Sequence, residues 1–287
     1  MKTHNVEIQH VSDTAIWVAY YRALESKRPD ALFHDKFAEI LVGERGEKIA
    51  MSMKGTSRYT QWSVVIRTYI IDQYIQNLVA SGVDTVINLG AGLDTRPYRL
   101  SLPKTLRWIE VDYPELIQYK EKLLNTQVPN VNLKRISLDL ADRPQRQAFF
   151  KQISEESKKV LVITEGVIPY LRETQVAELA EDILSQKNFE NWIAEYISKQ
   201  VYRYLQTQKR KKQMQNAPFL FFPENWFGFF EKSGWKPKEA RYLAEETEKL
   251  QRKQPFPWWS QIFVPFMSSE QVKQMRQSMG YVVYSRL

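Results

Sequence analysis

The chain contains no cysteine among its 287 residues. Disulfides, iron–sulfur clusters, thiolate zinc sites and a cysteine nucleophile are therefore excluded, and the composition fits a reducing compartment. Glycine (10) and proline (13) are sparse, and no stretch reads as a flexible linker. No run of 18 apolar residues occurs, so no membrane span is expected. Met1–Gln9 is polar and lacks the apolar segment of a signal peptide, which makes cytoplasmic residence the expectation. Histidine is scarce, with only His4, His10 and His34. No G-x-S-x-G elbow, H-E-x-x-H pair or P-loop is present, which disfavours hydrolases.

What remains is an ordinary globular composition, 43% hydrophobic and 26% charged, which rules out intrinsic disorder. The length allows two domains or one large α/β domain with additions. The lack of linkers and repeats favours one compact chain. Lysine and arginine (41) exceed aspartate and glutamate (33), for a net charge of +8. Lys209-Arg210-Lys211-Lys212 supplies half of that excess, and a run of this kind is usually a solvated helix face.

Residues 11–80 read as helical. Ser12-Asp13 offers an N-cap ahead of Ala15, Ile16, Val18, Ala19 and Leu24 at helical spacing. A second helix is expected from Lys36 to Leu41, ending near Gly43, and a third from Gln61 to Ala80, stopped by Gly82. The texture then changes. Thr85–Leu89, Leu106–Val111, Val131–Ile136, Val160–Thr164 and Trp192–Tyr196 read as strands. Helices over 114–124, 143–153 and 173–184 fall between them. This alternation predicts a doubly wound parallel sheet with helices on both faces. After Ser198 the pattern loosens into a helix carrying the basic cluster and then aromatic stretches (Phe219–Phe222, Pro255–Trp259, on to Phe266). A helix, Ser269–Met279, and a strand, Tyr281–Tyr284, close the chain.

The first strand runs into Gly90-Ala91-Gly92-Leu93-Asp94-Thr95-Arg96. Two glycines allow a sharp turn and close approach of a ligand to the backbone, at the strand end where open α/β sheets bind ligands. The third glycine of the dinucleotide fingerprint is absent, because Thr95 stands in its place. Asp112, after the second strand, can accept hydrogen bonds from both hydroxyls of a ribose. Dinucleotide and S-adenosylmethionine sites share that device. An aspartate ahead of Pro114 can equally cap a helix. Asp139, after the third strand, can meet an adenine amino group with the Leu140 backbone beside the ring, or simply form a turn. Glu165 follows the most apolar strand, where an unpaired carboxylate is expensive to bury. Gly90, Asp112, Asp139 and Glu165 thus stand at four adjacent strand ends.

The stretches Val86–Leu100 (VINLGAGLDTRPYRL), Ile109–Leu116 (IEVDYPEL), Leu138–Leu140 and Thr164–Leu171 (TEGVIPYL) resemble the S-adenosylmethionine-dependent methyltransferases related to leucine carboxyl methyltransferase. They are most similar to the bacterial branch named as S-adenosylmethionine-dependent or polyketide O-methyltransferases. Thr14-Ala15, Val18-Ala19, Arg22–Ser26, Asp35 and Ala38 share that resemblance, which covers about residues 11–197. It implies a Rossmann-like class I sheet of seven strands, the last antiparallel. It also implies a single domain: a helical cap (1–60), an S-adenosylmethionine-binding core (61–197), a substrate-side insertion or lid (198–268) and a closing helix and strand (269–287). The implied cofactor contacts are Arg67, Gly90, Ala91, Gly92, Asp112, Tyr113, Asp139, Leu140 and Glu165. Gly90 and Gly92 would line the methionine portion, and Arg67 would pair with its carboxylate unless it is an ordinary solvated arginine. Glu165 would stand beside the methyl-transfer pocket.

Methyl transfer from a sulfonium is an in-line displacement that mainly needs alignment. A carboxylate nucleophile needs no general base, whereas a phenol benefits from one. All three histidines precede the glycine turn and no residue stands out as a base. The sequence therefore favours a carboxylate or acidic hydroxyl as acceptor; the resemblance implies that it belongs to a small organic, polyketide-like compound, with a protein C-terminal carboxylate as the alternative. Tyr170 and Tyr196 could touch the acceptor or serve packing. The segment from Phe219 to Phe266 could wall an apolar acceptor or form a second small core. Nucleic-acid methylation is disfavoured, because Glu165-Gly166 stands where an Asn-Pro-Pro-Tyr or Asp-Pro-Pro-Tyr tetrapeptide would. A catalytically silent binding protein is disfavoured by the intact glycine turn and acids. No metal site is expected.

Overall fold

A computed structural model describes residues 11–43, 57–205, 218–255 and 266–287. The basic cluster Lys209–Lys212, His4, His10 and the aromatics Phe256–Trp259 lie outside the described residues. The described residues open with helix α1 (Val11–Ser26), a helical segment over 36–43 and the long helix α2 (Ser57–Ala80). Ser12 and Asp13 fall inside the first turn of α1 rather than ahead of it, so they do not hold the N-cap position expected of them. Gly82 ends α2 as expected. It adopts φ +99°, its N–H donates to Val79 O and the Val83 N–H donates to Leu78 O, which closes the last turn.

Five parallel strands follow: β1 (Thr85–Leu89), β2 (Arg107–Asp112), β3 (Asn132–Ser137), β4 (Val160–Thr164) and β5 (Phe189–Ile197). The short α3 (Arg96–Arg99), α4 (Pro114–Leu124), α5 (Arg143–Glu155) and α6 (Glu173–Leu184) connect them. Then come α7 (Lys199–Leu205), α8 (Trp226–Lys232), β6 (Trp235–Tyr242), α9 (Leu243–Lys249), α10 (Ser269–Arg276) and β7 (Met279–Arg286). The sheet order is β3-β2-β1-β4-β5-β7-β6. β7 runs antiparallel to both β5 and β6, which completes the seven-stranded α/β sheet that the resemblance implied.

Strand β6 was not legible. Its sequence, Trp-Lys-Pro-Lys-Glu-Ala-Arg-Tyr, is polar because it is an edge strand, exposed over residues 236–239 and half-buried over 240–242. Pro237 sits at a register irregularity in its ladder, where a missing N–H is tolerated. The closing helix also ends at Arg276 and not Met279, because Met279 already pairs with Ile197 as the first residue of β7.

Alternation across the sheet builds the core on two faces. Ile87, Ile109, Val162 and Trp192 pack against Phe150 of α5, Ile183 of α6 and Phe230 of α8. Val86, Trp108, Leu161 and Ile193 face Ile70, Ile71 and Tyr74 of α2. A third cluster joins Ile16 and Trp17 of α1 to Phe37, Leu93, Tyr98 and Leu116. It holds α1 over the C-terminal end of β1. Among the described residues, no helix is long and apolar enough to cross a membrane.

Candidate functional site

A cavity of about 680 Å³ opens at the C-terminal ends of β1, β2, β4 and β5. All eleven residues singled out from the sequence line it: Arg67, Gly90, Ala91, Gly92, Asp112, Tyr113, Asp139, Leu140, Glu165, Tyr170 and Tyr196. Its size lies in the range of small-molecule sites.

The turn after β1 leaves no room for a side chain at Gly90. Gly90 adopts φ +65°, and a Cβ there would stand 2.4 Å from Val167 Cγ2. The Gly90 and Ala91 N–H groups both donate to Val111 O of β2, at 2.8 and 3.1 Å. Asp112 is the last residue of β2 and is buried. Its Oδ2 accepts from the Gly92 N–H at 2.6 Å and its Oδ1 from the Tyr113 N–H at 2.7 Å. Tyr113, not Asp112, holds the N-cap position of α4, so helix capping does not account for this aspartate. Burial pushes the Asp112 carboxyl up, against the pull of those two N–H groups. Each oxygen keeps lone pairs for a ligand.

Asp139 is exposed at the cavity rim, where its Oδ1 accepts from the Ala141 N–H at 2.9 Å. This turn uses one oxygen of the carboxylate. Tyr113, 45% exposed, also lines the cavity.

Glu165 follows β4 and is held by two cations, Arg67 Nε at 2.9 Å and Arg96 Nη1 at 2.7 Å. Burial raises its pKa, but the Arg96 and Arg67 guanidiniums outweigh burial and hold the carboxyl below its ordinary range. Arg67 therefore points inward from α2 and is not a solvated helix arginine.

The sequence motif carries Arg96 without assigning it a role. It is 2% exposed and ties four elements together. Its Nε donates to Asp72 of α2 at 2.7 Å, and its Nη1 donates to Asp94 and to Glu165. Asp94 in turn accepts from Asn88 Nδ2 of β1 at 2.8 Å. Thr95 Oγ1 donates to Asp35 at 2.6 Å, and Arg22 of α1 donates to the same carboxylate at 2.9 Å. The Asp-Thr-Arg tail of the glycine turn is thus a buried ionic lock between turn and helices.

The acceptor-side candidates sit on the opposite wall. Tyr170, in a 3-10 turn over Ile168–Tyr170, packs its ring 5.1 Å from that of Phe219. Burial pushes its phenol up to about 12, so it is not a base at neutral pH. Tyr196 stacks on Phe227 at 4.8 Å and also lines the cavity.

One lining residue was missed. Glu195 of β5 is 5% exposed. Its Oε1 accepts from the Gly166 and Val167 N–H groups, and its Oε2 is buried with no partner. The signal was an acid within the apolar run Trp192–Tyr196, the same cost-of-burial argument that singled out Glu165.

The donor set suits an adenosyl cofactor on three counts: a turn that a single Cβ would fill, a carboxylate at the end of the next strand with lone pairs to spare, and an arginine–carboxylate pair beside the turn. Among the described residues, no cluster of side chains could hold a metal ion.

The family model described as leucine carboxyl methyltransferase matches residues 15–184. A candidate S-adenosyl-L-methionine-dependent methyltransferase of Frankia alni is 33% identical over 174 residues, covering 58% of this chain and 61% of that protein. One of Streptomyces coelicolor is 31% identical over 181 residues, covering 60% and 64%. The chain thus spans about three fifths of the length of the curated relatives it matches. Among solved structures, a DUF574 family protein from Streptomyces avermitilis superposes with TM-score 0.58 at 10% identity, covering 96% of this chain and 97% of that one. A candidate methyltransferase from Thermobifida fusca superposes with TM-score 0.55 at 14% identity, covering 94% of both. At these identities the structural likeness bears on the fold alone.

Proposed function

The chain belongs to the leucine carboxyl methyltransferase family, and from that premise we propose that it transfers a methyl group from S-adenosyl-L-methionine to an oxygen of a small organic acceptor. The observation that carries this reading is the cavity in which the turn at Gly90, the Asp112 carboxylate and the Arg67–Glu165 pair meet. When bound, S-adenosyl-L-methionine supplies a methyl group on a sulfonium, already activated for displacement.

The residues divide by position. Asp112 holds the ribose hydroxyls, Asp139 and Leu140 border the adenine, and Tyr113 covers the nucleoside from the rim. Gly90, Ala91 and Gly92 let the methionine portion approach the backbone. Arg67 meets its carboxylate, and Glu165, fixed by Arg96, sets the position of that arginine. Tyr170, Tyr196 and Phe219 form an aromatic wall that excludes water and orients the acceptor.

Calorimetric titration with S-adenosylhomocysteine tests the cofactor half. The acceptor half is tested by transfer of labelled methyl to a panel of small acids and hydroxyl compounds. The description of the matching family favours a second reading, in which the acceptor is the C-terminal carboxylate of a protein. A base-labile methyl ester found on protein and on none of the small compounds would favour it.

A further inference from the structure

We propose that Glu195 is the general base of the site and that the acceptor is an aromatic compound with a neutral hydroxyl, not a carboxylate; this rests on the methyl-transfer reading above. Glu195 lies on β5 two residues before its end and lines the cavity, with Tyr170, itself in ring contact with Phe219, close enough to feel its charge. Two backbone N–H groups occupy Oε1, while Oε2 is buried and has no hydrogen-bond partner. A buried carboxylate oxygen without a partner is costly and calls for a role. A hydroxyl entering the cavity supplies the missing donor.

The surrounding charges leave Glu195 as the group that titrates near neutrality. Arg67 reaches it from α2, Tyr170 from the segment after β4, Tyr202 from α7, and Tyr281 and Tyr284 from β7. Arg67 remains a cation and Glu165, between two arginines, an anion. Burial pushes all four phenols up, so they stay neutral. Burial also lifts Glu195, against its backbone hydrogen bonds and Arg67, to about 7, the value that suits a base at physiological pH.

The acceptor oxygen forms its bond to the methyl carbon while the carbon–sulfur bond breaks, its electron pair going to sulfur. The hydroxyl proton passes to Glu195 Oε2. A carboxylate, a neutral hydroxyl and a sulfonium become a carboxylic acid, a methyl ether and a neutral thioether, so charge balances. A carboxylate acceptor would have no proton to give, and would face the unpartnered oxygen as a like charge.

The test uses the whole chain and Glu195→Gln, whose amide oxygen can still accept the Gly166 and Val167 N–H groups. S-adenosylhomocysteine binding is measured by calorimetry. Labelled methyl transfer from S-adenosylmethionine is measured from pH 6 to 9 with a series of phenols of graded acidity and with benzoate. We expect the two proteins to bind the nucleoside within about twofold of each other. Wild-type transfer to weakly acidic phenols should rise with pH through about 7, the value set by Glu195. The variant should lose at least about 100-fold on those phenols, lose that pH limb, and lose little on pentafluorophenol, which ionises without help. Equal loss across the series, an unchanged rate, loss of nucleoside binding by the variant, or a wild type that methylates benzoate and no phenol would each overturn the proposal. A wild type that binds no nucleoside at all would instead overturn the methyl-transfer reading itself.

Discussion

Arg96 Nη1 lies 2.7 Å from Glu165 Oε2, so one contact joins the tail of the glycine turn to the carboxylate at the end of β4. The same guanidinium also holds Asp72 and Asp94, and burial alone would disfavour its charge. Three carboxylates compensate for that cost. The lock explains why an arginine follows the turn: it converts the position of β1 into the position of Glu165.

Replacing Arg96 by Ala leaves these buried carboxylates with fewer counter-charges. Removal of one partner from a buried ion pair typically costs about 3–5 kcal/mol. Urea denaturation should show a loss of that order for Arg96→Ala, and a smaller one for Arg96→Lys, which keeps the charge but loses the planar fork. A loss below about 1 kcal/mol would mean that the network contributes little to stability.

Gly90→Ala should destabilise the protein for two separable reasons. The positive φ costs about 1–3 kcal/mol with a side chain, and the new Cβ would meet Val167 Cγ2 at 2.4 Å. Adding Val167→Ala removes the second cost but not the first. Thermal melts should therefore place the double variant between Gly90→Ala and the wild type. A double variant no more stable than Gly90→Ala would show that the contact with Val167 is not limiting.

Asp112→Ala should raise the dissociation constant for S-adenosylmethionine at least about tenfold, or about 1.4 kcal/mol. Calorimetry reads this directly. An unchanged constant would remove Asp112 from the ribose.

The buried Glu195 gives stability a definite pH dependence. Its carboxyl moves from an ordinary 4.5 up to about 7 on folding. Below 4.5 both states hold the proton and the contribution is intact. As pH rises to 7 the unfolded chain ionises first, so stability is lost, by up to about 3 kcal/mol at and above 7. The stability of Glu195→Gln relative to wild type should therefore grow between pH 4.5 and 7 and then level off. A difference that does not vary with pH would contradict the perturbed carboxyl.

The elements legible in the sequence were those whose environment is uniform. β1 and β4 are buried on every residue, so they read as unbroken apolar runs, and α6 was placed at its observed ends because its apolar stripe is sharp. β6 escaped because an edge strand carries polar residues and a proline, which look like loop. In the site, residues fixed by local backbone geometry, such as Gly90 and Asp112, were recognisable from spacing. Arg96 and Glu195 were not, because what defines them is distant in sequence. Arg96 meets carboxylates at positions 72 and 165, and Glu195 meets N–H groups nearly 30 residues away, at 166 and 167. Spacing cannot show which helix or loop the sheet will bring against them.

The most direct test of the whole account is a crystal structure of the protein with S-adenosylhomocysteine. The ribose hydroxyls should lie on the Asp112 carboxylate, the adenine between Asp139 and Tyr113, and the sulfur toward the wall formed by Tyr170 and Glu195. A nucleoside bound elsewhere, or a cavity that excludes it at saturating concentration, would contradict the account.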